Sequence, residues 1–247
     1  MIVANRKLRL VVLDYPVYFF NDPLVSKLFS AIVDIKIQSY SSTYGEVMPF
    51  DKSDFFGTHF IICEEKDNEL IALSAFKSVT LDRCEKYHFE FPALSLLRAD
   101  ASKSSYDALY SFIQEHKDKE MFSYGSAWAS ALSHRYSDDL ALNLSLLEMV
   151  MMICVINHQE NNIKHMVTCG AKRVKTTKFF ERMGLSKVHP EAEFKQKSLS
   201  SEDAIMYRGA EFSFLAHSMA KKYRQLWDER LILDGSLLNK AKVGIAA

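Results

Sequence analysis

From Leu140 to about His158 the sequence reads LALNLSLLEMVMMICVINH, apolar almost all round and broken by Asn143, Ser145 and Glu148. A helix with no polar face must be covered on every side, so this segment predicts an interior helix clasped between other layers of one core. Its longest oily part, Leu146 to Ile156, is shorter than the roughly 20 residues a bilayer crossing needs, and it contains Glu148, so no membrane span is expected. The chain has 247 residues, 48% of them hydrophobic, which is enough to build the core that such a helix requires.

Strands and helices alternate around it. Leu8 to Leu13 predicts a first strand. Asp22 and Pro23 supply a cap and a first-turn proline for a helix that buries Leu24, Val25, Leu28, Phe29, Ile32 and Ile35 and fades near Tyr40 to Gly45. His59 to Glu64 and Glu69 to Val79 predict antiparallel strands joined at Lys66, Asp67 and Asn68. Between Thr80 and Ser102 the pattern is irregular, and Pro92 argues against regular structure. Ser104 or Ser105 caps a helix with Tyr106, Leu109, Tyr110 and Ile113 on one face. A strand, Phe122 to Leu132, leads into the oily helix, which Asp138 or Asp139 caps. A strand, Ile163 to Cys169, and a helix, Val174 to Met183, follow, the helix closed by Gly184. Short strands at Leu185 to His189 and Ala204 to Arg208 precede a last helix, Phe212 to Arg230, that buries Phe214, Leu215, Met219, Tyr223 and Leu226. This order predicts an α/β fold with a mixed, mostly antiparallel central sheet flanked by helices.

Lys and Arg total 31 and Asp and Glu total 31, so no overall field draws the chain to nucleic acid or to an anionic membrane. Any basic site is local, and one stands between Gly170 and Gly184, where Lys172, Arg173, Lys175, Lys178 and Arg182 face only Glu181. Without interleaved aromatics or a second basic stretch, nucleic acid is not its expected partner. Cys63, Cys84, Cys154 and Cys169 form no C-x-x-C pair and read as buried free thiols of a reducing compartment. Cys169 has no visible activating partner, so it is not a candidate nucleophile. The histidines show neither an i, i+4 pair nor H-E-x-x-H, and no metal is expected. The first apolar stretch is too short for an export signal, which leaves a cytoplasmic protein as the expectation.

One turn stands out. Ser133, His134, Arg135, Tyr136, Ser137, Asp138 and Asp139 join a strand to the oily helix without a glycine. A turn that cradles phosphate ordinarily contains glycine, because the backbone must approach the anion closely.

The element order resembles the GNAT acyltransferase fold, and TTKFFERMGL (Thr176 to Leu185) looks like that superfamily's late helix-and-glycine motif. Within it the chain more closely resembles acyl-homoserine-lactone synthases and N-acyl amino acid synthases. KIQSY (Lys36 to Tyr40) is similar to their basic and aromatic pair, FDKSD (Phe50 to Asp54) to their D-x-x-D pair, and AWASALSHRYSDD (127–139) to their tryptophan-to-arginine segment, with Trp128 and Arg135 the nearest counterparts. The likeness runs from about Ile35 to Val188. It departs at Ala75, where the synthases carry an arginine and this chain has Lys77 two residues on; at Leu132, where they carry a glutamate; and at Phe180, where many GNAT enzymes place an acidic tyrosine. Homoserine-lactone synthesis is therefore not specifically implied.

The resemblance implies a V-shaped splay between two central parallel strands, Phe122 to Leu132 and Ile163 to Cys169. It also implies a catalytic domain over residues 1–200, with 201–247 a strand and helix extension packed on it. The implied activity moves a medium- or long-chain acyl group from acyl carrier protein to the amine of an amino acid or derivative by direct attack on the thioester. No permanently bound cofactor is implied; the co-substrate is the carrier's acyl-phosphopantetheine or acyl-CoA. The glycine-free turn favours the carrier, whose arm presents a phosphodiester rather than a pyrophosphate. His134 becomes the candidate general base, or else a capping or surface histidine. Ser133 joins it near backbone N–H groups that can meet the thioester oxygen. Arg135 grips a carboxylate or phosphate, or pairs with Asp138 or Asp139. Asp51 and Asp54, with Lys36, Tyr40 and Lys77, form the candidate acceptor site, the carboxylates being otherwise solvated loop residues. Phe76, Trp128, Met149, Met152 and Ile153 line an acyl pocket or simply fill core. Lys172, Arg173, Lys175 and Lys178 receive an acidic carrier helix or form a solvated basic face. An acetyl-CoA-dependent acetyltransferase and a non-catalytic binding protein are the alternatives.

Overall fold

The computed structural model describes residues 1–135 and 139–235, the side chains of His134 and Arg135 excepted. β1 (Ile2–Val3) and β2 (Arg6–Asp14) form a tight hairpin. α1 (Pro23–Tyr44) starts at Asp22, whose carboxylate accepts the N–H groups of Leu24 and Val25, and ends at Gly45 with φ 74°. α2 (Lys52–Phe56) is a single turn closed by reciprocal hydrogen bonds between Asp51 and Asp54. β3 (Thr58–Lys66) and β4 (Glu69–Thr80) join through Asp67 and Asn68, both at positive φ, as the twist of a two-residue hairpin requires.

The stretch expected to be irregular holds α3 (Leu81–Lys86) and α4 (Pro92–Asp100), followed by α5 (Lys103–His116). Pro92 starts α4 rather than forbidding it, because a first-turn residue has no intrahelical N–H bond to lose. Ser102, not Ser104 or Ser105, caps α5. β5 (Met121–Ser130), the short α6 (Leu132–Arg135) and the oily α7 (Leu140–Glu160) follow, α7 capped by Asp139 through the Leu142 N–H. Then come β6 (Ile163–Ala171), α8 (Thr176–Arg182), β7 (Ser186–Lys187), β8 (Glu193–Gln196) and β9 (Glu202–Gly209). The expected last helix is two, α9 (Phe214–Lys222) and α10 (Arg224–Asp228), and β10 (Leu231–Asp234) follows them. Phe214 is 88% exposed. The small Ala216 and Ala220 face inward in its place, which lets α9 lie close on α7.

The sheet is mixed and mostly antiparallel, in the order β1-β2-β3-β4-β5-β6-β9-β7, with β8 also on β9 and β10 parallel to β2. α1, α3, α4 and α5 cover one face and α7 to α10 the other. β2 therefore buries both of its faces, Leu8, Leu10 and Val12 toward α7 and Val11 and Leu13 toward α1. By length and composition α7 matches a membrane-crossing helix, yet 61% of its most apolar window is buried within the protein. It packs between the sheet and α9, which is the interior position its unbroken hydrophobicity demands.

Candidate active site

β5 and β6 are paired in parallel from Met121 and Ile163 to Gly125 and Thr168, and no further. Beyond that point β5 stays on β4 as far as Ser130 opposite Ser74, while β6 stays on β9 as far as Ala171 opposite Ala204. The cause lies in β5. Ala75 and Lys77 of β4 face Ala129 and Ser126, so β5 carries one residue too many there, and Ala127 sits in the left-handed region at φ 53°. A bulge bends and over-twists its strand, and this one turns Ser126 to Ser130 away from β6. Thr168 Oγ1 donates to the Gly125 carbonyl at 2.8 Å, which satisfies the backbone at the crotch. The V-shaped splay is thus present: beyond Gly125 and Thr168 the facing edges of β5 and β6 do not pair with each other, and at the far end of β6 Thr176 Oγ1 accepts the Ala171 N–H at 2.8 Å and donates to its carbonyl at 3.1 Å.

A cavity of about 600 Å³ fills the fork. The last turns of α1 close one side through Ser39, Tyr40, Thr43 and Tyr44, and α7 and α8 close the other through Leu147, Met151 and Phe179. Its deep wall includes Phe76, Tyr124 and Phe180, all buried. Its mouth carries Lys175, Lys178 and Arg182, which form no ion pair among the described residues. Among the described lining residues there is no carboxylate and no imidazole.

Of the expected acyl-pocket residues, Phe76 and Trp128 line this cavity, Trp128 packing tilted at 42° with its ring centre 4.9 Å from that of Phe179. Met149, Met152 and Ile153 do not; they are fully buried in the core, and the α7 residues that reach the cavity are Asn143, Leu146, Leu147 and Met151. The alternative base, Glu148, is tied to Lys222 and Tyr223, each at 2.6 Å, away from the fork. Ser133 is exposed and is not among the cavity-lining residues. The backbones of His134 and Arg135 end α6, which lies against α1, while their side chains lie outside the described residues.

The expected acceptor residues converge, but on one another. Asp54 is 1% exposed. Its carboxylate receives Lys77 at 2.9 Å, Lys36 at 3.1 Å and the Asp51 N–H at 3.0 Å. Lys36 also donates to the Pro49 carbonyl and lies 4.0 Å over the Phe50 ring. Lys77 donates to Ser53 Oγ at 2.7 Å and approaches Asp51 at 3.7 Å. Burial alone would raise the Asp54 carboxyl, but Lys77 and Lys36 outweigh it and hold it below its usual range. His59, whose Nε2–H donates to the Asp54 carbonyl of this same turn at 2.7 Å, is pushed down to about 4 by burial. The cluster ties α1, α2 and β4 together one helical turn from the cavity. Only Tyr40 of the expected acceptor set lines the cavity itself.

The basic segment divides similarly. Lys172 pairs with Glu193, and Arg173 is held by Glu202 at 3.2 Å and by the Thr43 carbonyl at 2.8 Å, where it braces the end of α1. Lys175, Lys178 and Arg182 alone turn to the cavity.

A half-open mixed sheet, split between two parallel strands over an apolar cavity, is a GNAT-like fold. Many solved structures share it, two synthases among them. The N-acyl amino acid synthase FeeM from uncultured soil microbes superposes with a TM-score of 0.52 at 12% identity, covering 92% of this chain and 95% of that one. The AHL synthase LasI superposes with a TM-score of 0.50 at 14% identity, covering 82% and 90%. Compared with protein-family models and with curated protein sequences, the chain matches none.

Proposed function

We propose that this chain is a cytoplasmic N-acyltransferase that moves a medium- or long-chain acyl group from the phosphopantetheine arm of acyl carrier protein to the amine of an amino acid or a related small molecule. The observation that carries this reading is the fork itself: a cavity between strands that have parted from each other, apolar at depth and cationic at its mouth. An arm bearing two amides can pair with their edges as a strand pairs with a sheet. Its phosphate then meets Lys175, Lys178 and Arg182, and its acyl chain enters the apolar end beside Phe76, Leu147 and Met151. Holding both reactants in the fork supplies the orientation that direct attack needs, with no covalent enzyme intermediate. The acceptor enters on the α1 side, past Ser39, Tyr40 and Thr43. His134 is the proposed general base and Arg135 the proposed grip on an acceptor carboxylate. The Lys36, Asp54 and Lys77 cluster supports the acceptor wall rather than touching the substrate.

The test is release of free thiol from acyl carrier proteins and acyl-CoAs of graded chain length against a panel of amines. Turnover with carrier-bound long chains is the expected result. Preference for acetyl-CoA converts the reading to an acetyltransferase, and no thiol release from any donor and acceptor pair overturns it.

A further inference from the structure

β5 carries one more polar group at the fork. Tyr124 pairs with Val79 on β4 and with Val167 on β6, one residue before the last β5–β6 pair, so it stands on the floor of the V. It is 6% exposed, lines the cavity and packs edge-on against Phe91 at 6.1 Å. Its hydroxyl makes no hydrogen bond with any described residue. Nor is it among the sealed polar atoms without a hydrogen bond to the described residues, such as Trp128 Nε1 and Trp227 Nε1. The hydroxyl therefore opens on the cavity. Of its electrostatic neighbours Cys169, Tyr40 and Asp51, the first two line the same space. A buried donor left unmade in a native fold marks the place of an absent acceptor atom.

We propose that the Tyr124 hydroxyl donates a hydrogen bond to the carbonyl oxygen of the bound thioester and stabilises the oxyanion formed there, an inference that rests on the acyl-transfer reading above. An arm that enters at the cationic mouth and follows the strand edges inward brings its thioester toward the floor of the fork. The amine nitrogen forms a bond to the carbonyl carbon, and the carbonyl π pair moves onto oxygen beneath Tyr124. Collapse restores the C=O bond and breaks C–S, and the proton lost by nitrogen ends on the departing sulfur as free thiol. Burial raises the Tyr124 hydroxyl well above its ordinary value of 10.0. It thus keeps its proton throughout, which suits an oxyanion donor and not a general acid toward a thiolate, whose conjugate thiol is more acidic.

Tyr124→Phe keeps the ring against Phe91 and deletes only the oxygen. We expect kcat to fall about a hundredfold, the donor KM to change by less than about threefold, and the melting temperature to stay level or rise. A second readout needs no turnover. An acyl-pantetheine ketone, with methylene in place of sulfur, should bind the wild type more tightly than the thioether lacking the carbonyl, and Tyr124→Phe should erase that preference. Unchanged kcat, a lowered melting temperature or a persisting carbonyl preference overturns the assignment while acyl transfer stands. If the wild type binds neither analogue and turns over no thioester, acyl transfer falls and the assignment falls with it.

Discussion

Lowering the pH from 7.5 to 5 at constant ionic strength should destabilise this protein far more than its neutral composition suggests. Two histidines are responsible. His59 is enclosed beside Asp54, and His158 lies between the Ser123 hydroxyl at 2.8 Å and the Cys154 carbonyl at 2.6 Å. Burial lowers each from 6.5 to about 4. A folded-state value below the unfolded one means that the stabilisation is complete above pH 6.5 and is lost as the pH falls toward 4. At pH 5 each group has lost about 2 kcal/mol, or about 4 kcal/mol together, with a slope that steepens to about 2.4 kcal/mol per pH unit near pH 5. Urea unfolding monitored by tryptophan fluorescence measures the difference directly. His158→Asn removes one titration, so the variant's slope between pH 6 and pH 5 should be about half that of the wild type. A stability equal at both pH values to within about 0.5 kcal/mol would refute the reasoning, since it would mean that neither imidazole pays for charging in the folded state.

Other substitutions separate support from site. Asp54→Asn strands two buried ammonium groups and should cost about 3–5 kcal/mol in urea unfolding; a loss below about 1 kcal/mol would show that the cluster is solvated. Ala127→Val places a β-branched residue at a left-handed position and should cost about 1–2 kcal/mol, whereas Ala127→Gly should be neutral or stabilising; equal stabilities would remove the bulge as the cause of the splay. Met151→Trp should shift donor preference toward shorter acyl chains, while Met152→Ala should lower stability by about 2–5 kcal/mol and leave that preference alone; the reverse pattern would place the acyl chain on another face of α7. Lys178→Ala combined with Arg182→Ala should raise the KM for phosphorylated donors and flatten its dependence on salt; an unchanged KM would move the phosphate elsewhere.

Local rules made much of the fold legible. Asp22 before Pro23, Asp139 before α7, Gly45 and Gly184 after their helices, and the pair Asp67 and Asn68 each solve a backbone problem within a few residues, so their positions follow from residue type alone. Pro92 misled because its effect depends on whether it opens a helix or interrupts one. β8 and β10 were not legible, because a four-residue strand is stable only when a neighbour's edge is waiting, here that of β9 or β2.

The sequence by itself determined that α7 is interior and that the charges balance, and the resemblance it carries grouped Lys36, Asp51, Asp54 and Lys77. It did not determine what they surround. α7 is apolar on every side, so its pattern carries no phase, and only packing decided that Leu147 and Met151 meet the cavity while Met149, Met152 and Ile153 enter the core. Asp54 drew both lysines to itself because a buried carboxylate needs partners more than a solvated one does. Glu193 and Glu202 took Lys172 and Arg173 from the basic segment and left the other cations at the mouth. Tyr124 looks like any strand aromatic in the sequence; that its hydroxyl has no partner among the described residues depends on two strands parting beside it, and strand separation is a property of the assembled sheet.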